Sequence, residues 1–347
     1  PGLFSLSPPR PFQRSMASAA AAPWRFLHLF SGKNDKLASA LRDEAASRGV
    51  TLEVESYDIE AGHDLTDMSL LDEIKRKAKA GHYHAAHAGF PCTTFSRLRW
   101  RASPGMPGPV RSREHVYGLP TNSKEEQAEA DKGTLMACQS LEILDLVKTS
   151  AGGDKPHRPV MFENPPESDH PFAASVYVLP EVVAWLEKNP VEYADFNNCL
   201  YADEGAGETR FKKPQRFVGL LPGLAQLSGV CRCGRGFSHP PVVGKEASRA
   251  SASYPAALCR ALASLVLDVW LGQRQLTGPA PGPPTEPQAA LEQEEIDEFI
   301  QEAEWTGGGG MFGALREARS KKETRDKENR EALGYAGPPS RSRGFPG

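Results

Sequence analysis

The sequence predicts an α/β fold in which a mostly parallel sheet carries helices on both faces. The first observation is an alternation of short apolar segments with segments of helical periodicity between Trp24 and Ala88. Such an alternation is typical of parallel strands joined by right-handed crossover helices. The second observation is that several strand candidates are apolar enough to be buried, as expected for a sheet covered on both sides.

In the first half of the chain, the strand candidates are residues 24–30, 50–57 and 82–88. Asn34 or Asp35 can cap the helix that follows the first strand, and Gly49 marks its end. The next helix is capped near Thr66, ends at Gly81 and is expected to bury one face. That face consists of Met68, Leu71, Ile74 and Ala78.

In the second half, a long helix is predicted from Ser123 to about Thr149. Its expected core face consists of Leu135, Ala137, Cys138, Leu141, Leu144 and Val147. Strands are predicted at 159–162, 191–197 and 216–220, and helices at 182–188 and 253–271. Together these elements define one folded domain, residues 24–273.

The two ends of the chain have the composition of disordered segments. Residues 1–23 are rich in Pro, Ser and Ala, and residues 274–347 combine a Pro/Gly linker with a charged tail. Within this tail, residues 291–305 form an acidic amphipathic segment. It is interpreted either as a solvated, transient helix or as a helix that docks on a protein partner.

Composition also bears on the cellular setting. The six cysteines lack the spacing of a disulfide framework, which favours a reducing, intracellular compartment. The longest apolar run, 256–271, contains Arg260 and Asp268 and is too short to span a bilayer, so no membrane association is expected. The formal net charge of −3 does not identify a partner, because charges cluster locally.

Two residues at strand ends are candidates for chemistry. Cys92 lies in the segment 88–96, AGFPCTTFS, just beyond the third strand, where open α/β sheets place their active sites. The alternative is a buried structural thiol. Glu163 follows four apolar residues, and partial desolvation there would raise its pKa toward a value useful for acid–base catalysis. The alternative is a surface glutamate before a rigid Asn164-Pro165-Pro166 loop.

A cofactor site is suggested near the first two strands. Phe30, Ser31 and Gly32 form a turn at which glycine permits close approach of the backbone to a nucleotide-like ligand. Asp58 ends the second strand, where a carboxylate can accept hydrogen bonds from ribose hydroxyls, and Asp64 lies just beyond it. The alternative for each carboxylate is a helix cap or a loop acid.

The segment after Cys92 is basic, and together with Trp100 and Tyr117 it suits a nucleic-acid backbone with stacked bases. Its candidate contacts are Ser96, Arg97, Arg99, Arg101, Arg111 and Arg113, and Lys212 and Lys213 form a second cluster. The alternative is a solvated basic loop.

Three further residues have the chemistry of zinc ligands, namely Cys231, Cys233 and His239. Because a fourth ligand is not evident nearby, the sequence predicts no metal site.

The order of these motifs resembles that of the cytosine-5 DNA methyltransferase family. Segments 28–32 (HLFSG), 89–96 (GFPCTTFS), 162–164 (FEN), 213–217 (KPQRF) and 253–258 (SYPAAL) are similar to its cofactor-loop, Pro-Cys, Glu-Asn-Val, Gln/Arg and final motifs. The resemblance covers residues 25–271. Only about thirty residues, 220–252, stand where the family has its target-recognition domain, so a reduced recognition region is expected.

The resemblance implies a Rossmann-like methyltransferase fold that binds S-adenosylmethionine. It implies cofactor contacts by Phe30, Ser31, Gly32, Asp58, Asp64, Pro91 and Tyr254, and catalytic roles for Cys92, Glu163, Asn164 and Arg216. Cys92 would attack carbon 6 of cytosine while Glu163 assists at ring nitrogen 3. The expected partner is DNA, with RNA also admitted. The protein is expected to be a monomer and, if it comes from a eukaryote, to be located in the nucleus.

Two other functions are compatible with the same motifs. One is an amino-group methyltransferase that uses Asn164-Pro165-Pro166 as its catalytic loop. The other is a non-catalytic nucleic-acid-binding relic of a mobile element.

Overall fold

The computed structural model describes residues 22–100, 107–150, 158–203, 205, 207–234, 236–242 and 245–273. Of the two ends predicted to be disordered, only Ala22 and Pro23 are among these residues. The acidic segment 291–305 and Arg101 lie outside them. None of the helices within the described ranges is long and apolar enough to cross a membrane.

The described strands and helices follow the predicted alternation. The strands are β1 (Trp24–Leu29), β2 (Leu52–Tyr57), β3 (Ala85–Ala88), β4 (Val160–Asn164), β5 (Glu192–Asn197) and β6 (Pro214–Leu220). The helices are α1 (Lys36–Ser47), α2 (Met68–Lys79), α3 (Lys124–Thr149), α4 (Pro180–Lys188), α5 (Lys245–Ala250) and α6 (Ala256–Trp270). Of these helices, the sequence analysis missed only the short α5.

The six strands form one sheet in the order β2-β1-β3-β4-β6-β5. Strands β1 to β4 pair in parallel, whereas β6 is antiparallel to both of its neighbours, β4 and β5. Helices α2, α3 and α4 pack on one face of the sheet, and α1 and α6 pack on the other. The predicted α/β fold with a mostly parallel, doubly covered sheet is confirmed.

Local capping explains where two helices begin. The Asp35 carboxylate accepts a hydrogen bond from the Ala38 amide, 2.8 Å away, at the start of α1. Ser123 and Glu126 exchange side-chain and backbone hydrogen bonds in a capping box at the start of α3. Each cap satisfies amides that the first turn of a helix leaves unpaired.

The expected core faces of two helices need correction. Leu135 of α3 is 38% exposed, whereas Gly133 and Ala137 on either side of it are buried. Residues two apart lie on different sides of a helix, so a leucine between two buried small residues points outward. Met68 is 51% exposed because it is the first residue of α2, and the buried face begins at Leu71.

Candidate active site

Cys92 lies in the loop that follows β3, at the carboxyl edge of the parallel strands. It directly precedes a short 3₁₀ turn, Thr93–Phe95, and its side chain is half-buried. Gly89 allows this loop to pass close to Tyr254, because a Cβ atom at Gly89 would lie 2.8 Å from the Tyr254 hydroxyl oxygen. Because it has no side chain, Gly89 lets the Cys92 loop contact the segment that leads into α6.

Glu163 lies in the neighbouring strand β4 and is only 8% exposed. The Tyr254 hydroxyl donates a hydrogen bond to its Oε2 atom over 3.1 Å. Its buried Oε1 atom has no hydrogen-bond partner within the described part of the chain. Because a buried carboxyl oxygen without a partner is costly, this atom marks a place where a ligand's donor or acceptor group would be accommodated.

The charges of Cys92, Glu163 and Lys213 act on one another. Burial raises the pKa of the Glu163 carboxyl above its ordinary value of 4.5, and the Lys213 ammonium and the Tyr254 hydrogen bond oppose this effect. Burial also raises the pKa of the Cys92 thiol, which Lys213 lowers and Glu163 raises further. Lys213, expected to bind nucleic acid, thus lies near enough to bias both groups toward their ionised forms.

Asn164 holds the Cys92 loop against β4. Its side-chain amide donates to the Phe90 carbonyl oxygen over 3.0 Å, and the residue is 1% exposed. Its own carbonyl oxygen accepts a hydrogen bond from the Tyr177 hydroxyl. The hydrogen bond to Phe90 holds the loop that carries Cys92 against β4. Because Glu163 is the strand neighbour of Asn164, the same bond fixes the position of Cys92 relative to Glu163.

Arg216, for which a catalytic role is expected, does not join this cluster. It pairs across the β4–β6 ladder with Asn164, so its side chain lies on the face of the sheet opposite to that of Glu163. There it donates two hydrogen bonds, of 2.7 and 2.6 Å, to the Asp195 carboxylate on β5. Its guanidinium also lies 5.1 Å from the centre of the Tyr177 ring. The arginine is engaged in holding β5, β6 and the segment after β4 together.

A pocket of about 270 Å³ opens beside the Cys92 loop. Three of the expected cofactor contacts line it, namely Phe30, Asp64 and Pro91. The other lining residues are Ile59, His63, Leu65, Thr93, Thr94, Glu129, Lys132, Gly133 and Met136. The pocket is largely apolar, with two carboxylates and one ammonium group in its lining, which suits a ligand with a planar apolar part and polar substituents.

Helix α3 contributes a pocket wall that the sequence analysis missed. A Cβ atom at Gly133 would lie 2.6 Å from the Thr94 hydroxyl oxygen, so a side chain there would push the Cys92 loop away from the helix. Glycine in a helix interior is destabilising by about 1 kcal/mol relative to alanine. Such a glycine inside a predicted helix was the available sequence signal of a close approach.

The remaining expected cofactor residues shape the turn next to the pocket. Phe30 has a φ angle of 57° and Gly32 one of 72°, and the first is unusual for a bulky residue. The Asp58 carboxylate accepts hydrogen bonds from the Gly32 amide, at 2.9 Å, and from the Glu60 amide, at 2.8 Å. The Ser31 amide donates to the Tyr57 carbonyl oxygen. The Asp58 carboxylate therefore stabilises the turn through the Gly32 amide. Tyr254, the other expected cofactor contact, hydrogen-bonds to Glu163.

Two of the arginines expected to contact nucleic acid are buried, and those expectations are wrong. Arg111 is 1% exposed, its guanidinium carbon lies 4.0 Å from the centre of the Phe95 ring, and it donates a hydrogen bond to the Val116 carbonyl oxygen. Burial lowers its pKa to about 10. Arg99 is 8% exposed and binds Glu129 over 2.6 Å. These arginines stabilise the segment instead of facing a phosphate backbone.

The other basic residues remain candidates on the surface. Arg97 lies 3.4 Å from Asp169 and Arg113 lies 3.7 Å from Glu167, each with more than a third of its side chain exposed. Lys212 is exposed, and the Ser96 hydroxyl accepts a hydrogen bond from the Leu98 amide. The nearby acids reduce the positive potential that the sequence suggests for this segment.

Cys231, Cys233 and His239 come together in the segment after β6. Cys199, which the sequence analysis did not connect with them, joins the group from the turn after β5.

Comparison of the sequence with protein-family models and with curated proteins finds no match.

Proposed function

We propose that this protein is an S-adenosylmethionine-dependent methyltransferase acting on carbon 5 of cytosine in DNA. The observation that carries the proposal is that Cys92 follows β3 while Glu163 lies near the end of the adjacent strand β4, close enough for its charge to raise the pKa of the Cys92 thiol. One oxygen of the buried Glu163 carboxyl is unpartnered within the described residues, and a pocket opens beside the Cys92 loop. In open α/β sheets, ligands bind in this crevice at the carboxyl ends of the strands.

The pocket supports the choice of cofactor and, with it, a Rossmann-like methyltransferase fold. Phe30 offers an aromatic face, Asp64 offers a carboxylate, and Pro91 forms the wall that continues into the nucleophile loop. When bound, S-adenosylmethionine supplies an electrophilic methyl group. Phe30, Asp64 and Pro91 would hold the cofactor beside the substrate base at Cys92.

The residues of the chain account for the rest of the chemistry. The Cys92 thiolate forms a bond to carbon 6, and the electrons of the ring double bond make carbon 5 nucleophilic. Glu163 donates a hydrogen bond or a proton to ring nitrogen 3, where negative charge develops. After methylation, loss of the carbon 5 proton to a base and cleavage of the C–S bond restore the ring and the thiolate. The cytosine must leave the base stack to reach Cys92.

The electrostatics favour the role of Glu163 more than that of Cys92. Burial raises the pKa of Glu163, which favours the protonated form that can donate to nitrogen 3. Burial and the Glu163 charge raise the pKa of the Cys92 thiol, and the Lys213 ammonium opposes them only in part. The thiolate must therefore gain further stabilisation when substrate and cofactor bind.

The amino-group alternative is less well supported by the geometry. An Asn164-Pro165-Pro166 loop would have to present the Asn164 side chain to an amino group of the substrate. That side chain is 1% exposed and donates to the Phe90 carbonyl oxygen. The asparagine is therefore used within the protein.

A covalent trap tests the proposal. The full chain is incubated with S-adenosylmethionine and a DNA oligonucleotide containing 5-fluorocytosine, in which fluorine blocks the final elimination, and adducts are located by mass spectrometry. We expect an adduct on Cys92 that Cys92→Ala abolishes and that the matched control Cys138→Ala, on α3, retains. The same trap with an RNA oligonucleotide distinguishes the two nucleic acids.

Other outcomes would contradict the proposal in different ways. Amino-group methylation that survives Cys92→Ala would establish the amino-transfer alternative. Binding of DNA without binding of S-adenosylmethionine, measured by calorimetry, would indicate a non-catalytic relic.

A further inference from the structure

Four side chains with zinc-ligand chemistry converge from two separate segments of the chain. Cys199 lies in the 3₁₀ turn Asn198–Leu200, directly after β5, and the other three are Cys231, Cys233 and His239 beyond β6. Their ligand atoms all lie within 4.8 Å of one another. Cys199 is buried and the other three residues are half-buried, so the cluster is partly shielded from water.

The spacing of these atoms is close to that of a tetrahedral zinc centre. Zn–S bonds of about 2.3 Å and Zn–N bonds of about 2.0 Å place neighbouring ligand atoms about 3.5–3.8 Å apart. The Cys231 Sγ and His239 Nε2 atoms are already 3.3 Å apart. Only small side-chain movements separate the cluster from a closed Cys₃His set.

Hydrogen bonds around the cluster orient the ligands as a zinc centre requires. His239 Nδ1 lies 2.8 Å from the Arg210 carbonyl oxygen, which can only accept, so Nδ1 carries the proton and Nε2 presents its lone pair to the cluster. The Cys233 amide donates to Cys231 Sγ over 3.4 Å, and such a bond stabilises a thiolate. A divalent cation at the centre of the cluster would stabilise all three thiolates together.

We propose that Cys199, Cys231, Cys233 and His239 bind one zinc ion in a closed, structural site. The ion would connect the turn after β5 to the segment after β6, where residues 220–252 were expected to form a reduced recognition region. The Asn198 amide, next to Cys199, donates to the Lys213 carbonyl oxygen over 3.0 Å. The site therefore also supports the backbone that carries Lys213 to Cys92 and Glu163.

Metal content and thiol reactivity test this proposal independently of any enzymatic activity. The full chain is equilibrated with zinc under reducing conditions, freed of excess metal and analysed by elemental mass spectrometry. We expect about one zinc ion per chain in the wild type and in the matched control Cys138→Ser, and loss of the ion in Cys199→Ser. In the zinc-loaded protein, alkylation of Cys199, Cys231 and Cys233 should slow at least about tenfold and recover after chelation.

A conservative exchange guards against a variant that merely misfolds. His239→Cys keeps four ligands and should retain zinc, whereas His239→Ala should lose it. Cobalt-loaded wild type should show a thiolate-to-cobalt charge-transfer band that weakens in Cys199→Ser. A wild type that takes up no zinc, equal alkylation with and without chelator, or full zinc retention by Cys199→Ser would overturn the proposal.

Discussion

Two polar side chains on neighbouring strands, the buried Glu163 on β4 and the half-buried Arg216 on β6, differ in how the chain satisfies them. Arg216 binds both oxygens of Asp195 and lies against the Tyr177 ring. Glu163 receives one hydrogen bond, from Tyr254, and its second oxygen has no partner in the described ranges. The two side chains are separated by the sheet itself, because they point to opposite faces.

The difference indicates what each group is for. A polar group whose partners are all supplied by the chain contributes to stability, and its removal leaves the partner unpaired. A buried group with an unmet hydrogen bond costs stability, which a protein tolerates where a ligand completes the bond. The sequence analysis predicted an active-site role for both residues, and only their hydrogen-bond partners in the structure distinguish them.

The largest expected effect is on the Arg216 side of this comparison. Arg216→Ala should lower the free energy of unfolding by about 1–3 kcal/mol, because it leaves the half-buried Asp195 carboxylate without its cation. Chemical denaturation followed by circular dichroism measures this change. The double variant Arg216→Met/Asp195→Leu should recover most of the loss. A variant of normal stability that loses covalent trapping would restore Arg216 to the active site.

A smaller change of opposite sign is expected for Glu163. Glu163→Gln should abolish trapping at Cys92 yet raise the free energy of unfolding at pH 7 by about 1 kcal/mol, since it removes a buried carboxylate. Because folding raises this pKa, the native protein binds more protons than the unfolded chain between pH 4.5 and the native pKa. Wild-type stability from this group therefore falls as pH rises through that window.

The advantage of the glutamine variant should accordingly grow over the same window and vanish well below pH 4.5. Denaturation curves of both proteins at a series of pH values measure it. A variant that is less stable than wild type at pH 7 would show that the Glu163 carboxylate is satisfied after all.

The smallest effect is expected at Lys213, which acts on the site through its charge. Lys213→Met should raise the pKa of the Cys92 thiol, because the ammonium lowers it in the wild type. The rate of Cys92 alkylation by iodoacetamide, followed against pH by mass spectrometry, should then rise at higher pH than in the wild type. Lys213→Arg keeps the charge and should behave like the wild type. An unchanged profile in Lys213→Met would remove Lys213 from the site.

Much of the fold followed from local rules that need no tertiary information. Asp35 and Ser123 cap the helices they were expected to cap, and alternating or apolar runs became strands. Leu135 and Met68 were misplaced because periodicity alone does not show which turn of a helix reaches the sheet. Which residues of a helix are buried depends on the element that packs against it, and the turn that contains Thr94 approaches α3 at Gly133.

The site residues were predictable only where the signal for each lies in its own short segment. Cys92 follows one strand and Glu163 lies near the end of another, which are local signals. Cys199 precedes Cys231 by some thirty residues and meets it only through the pairing of β5 with β6. For the pocket wall on α3, the one signal in the sequence is Gly133 inside the predicted helix. Arg111 was misread because charge suggests exposure, and nothing in the sequence shows that Phe95 and Ala130 enclose it.

The position of β6 has a consequence for biosynthesis. In the described sheet, β5 has β6 as its one neighbour, and β6 occupies the space between β5 and β4 although it follows both in the chain. While the chain is being made on the ribosome, β5 emerges with no strand to pair with until residues 214–220 have also emerged. During that interval Lys213, which acts on the charges of Cys92 and Glu163, is not yet held beside them. The sheet therefore closes only after β6 has emerged, and Tyr254, the hydrogen-bond partner of Glu163, emerges later still.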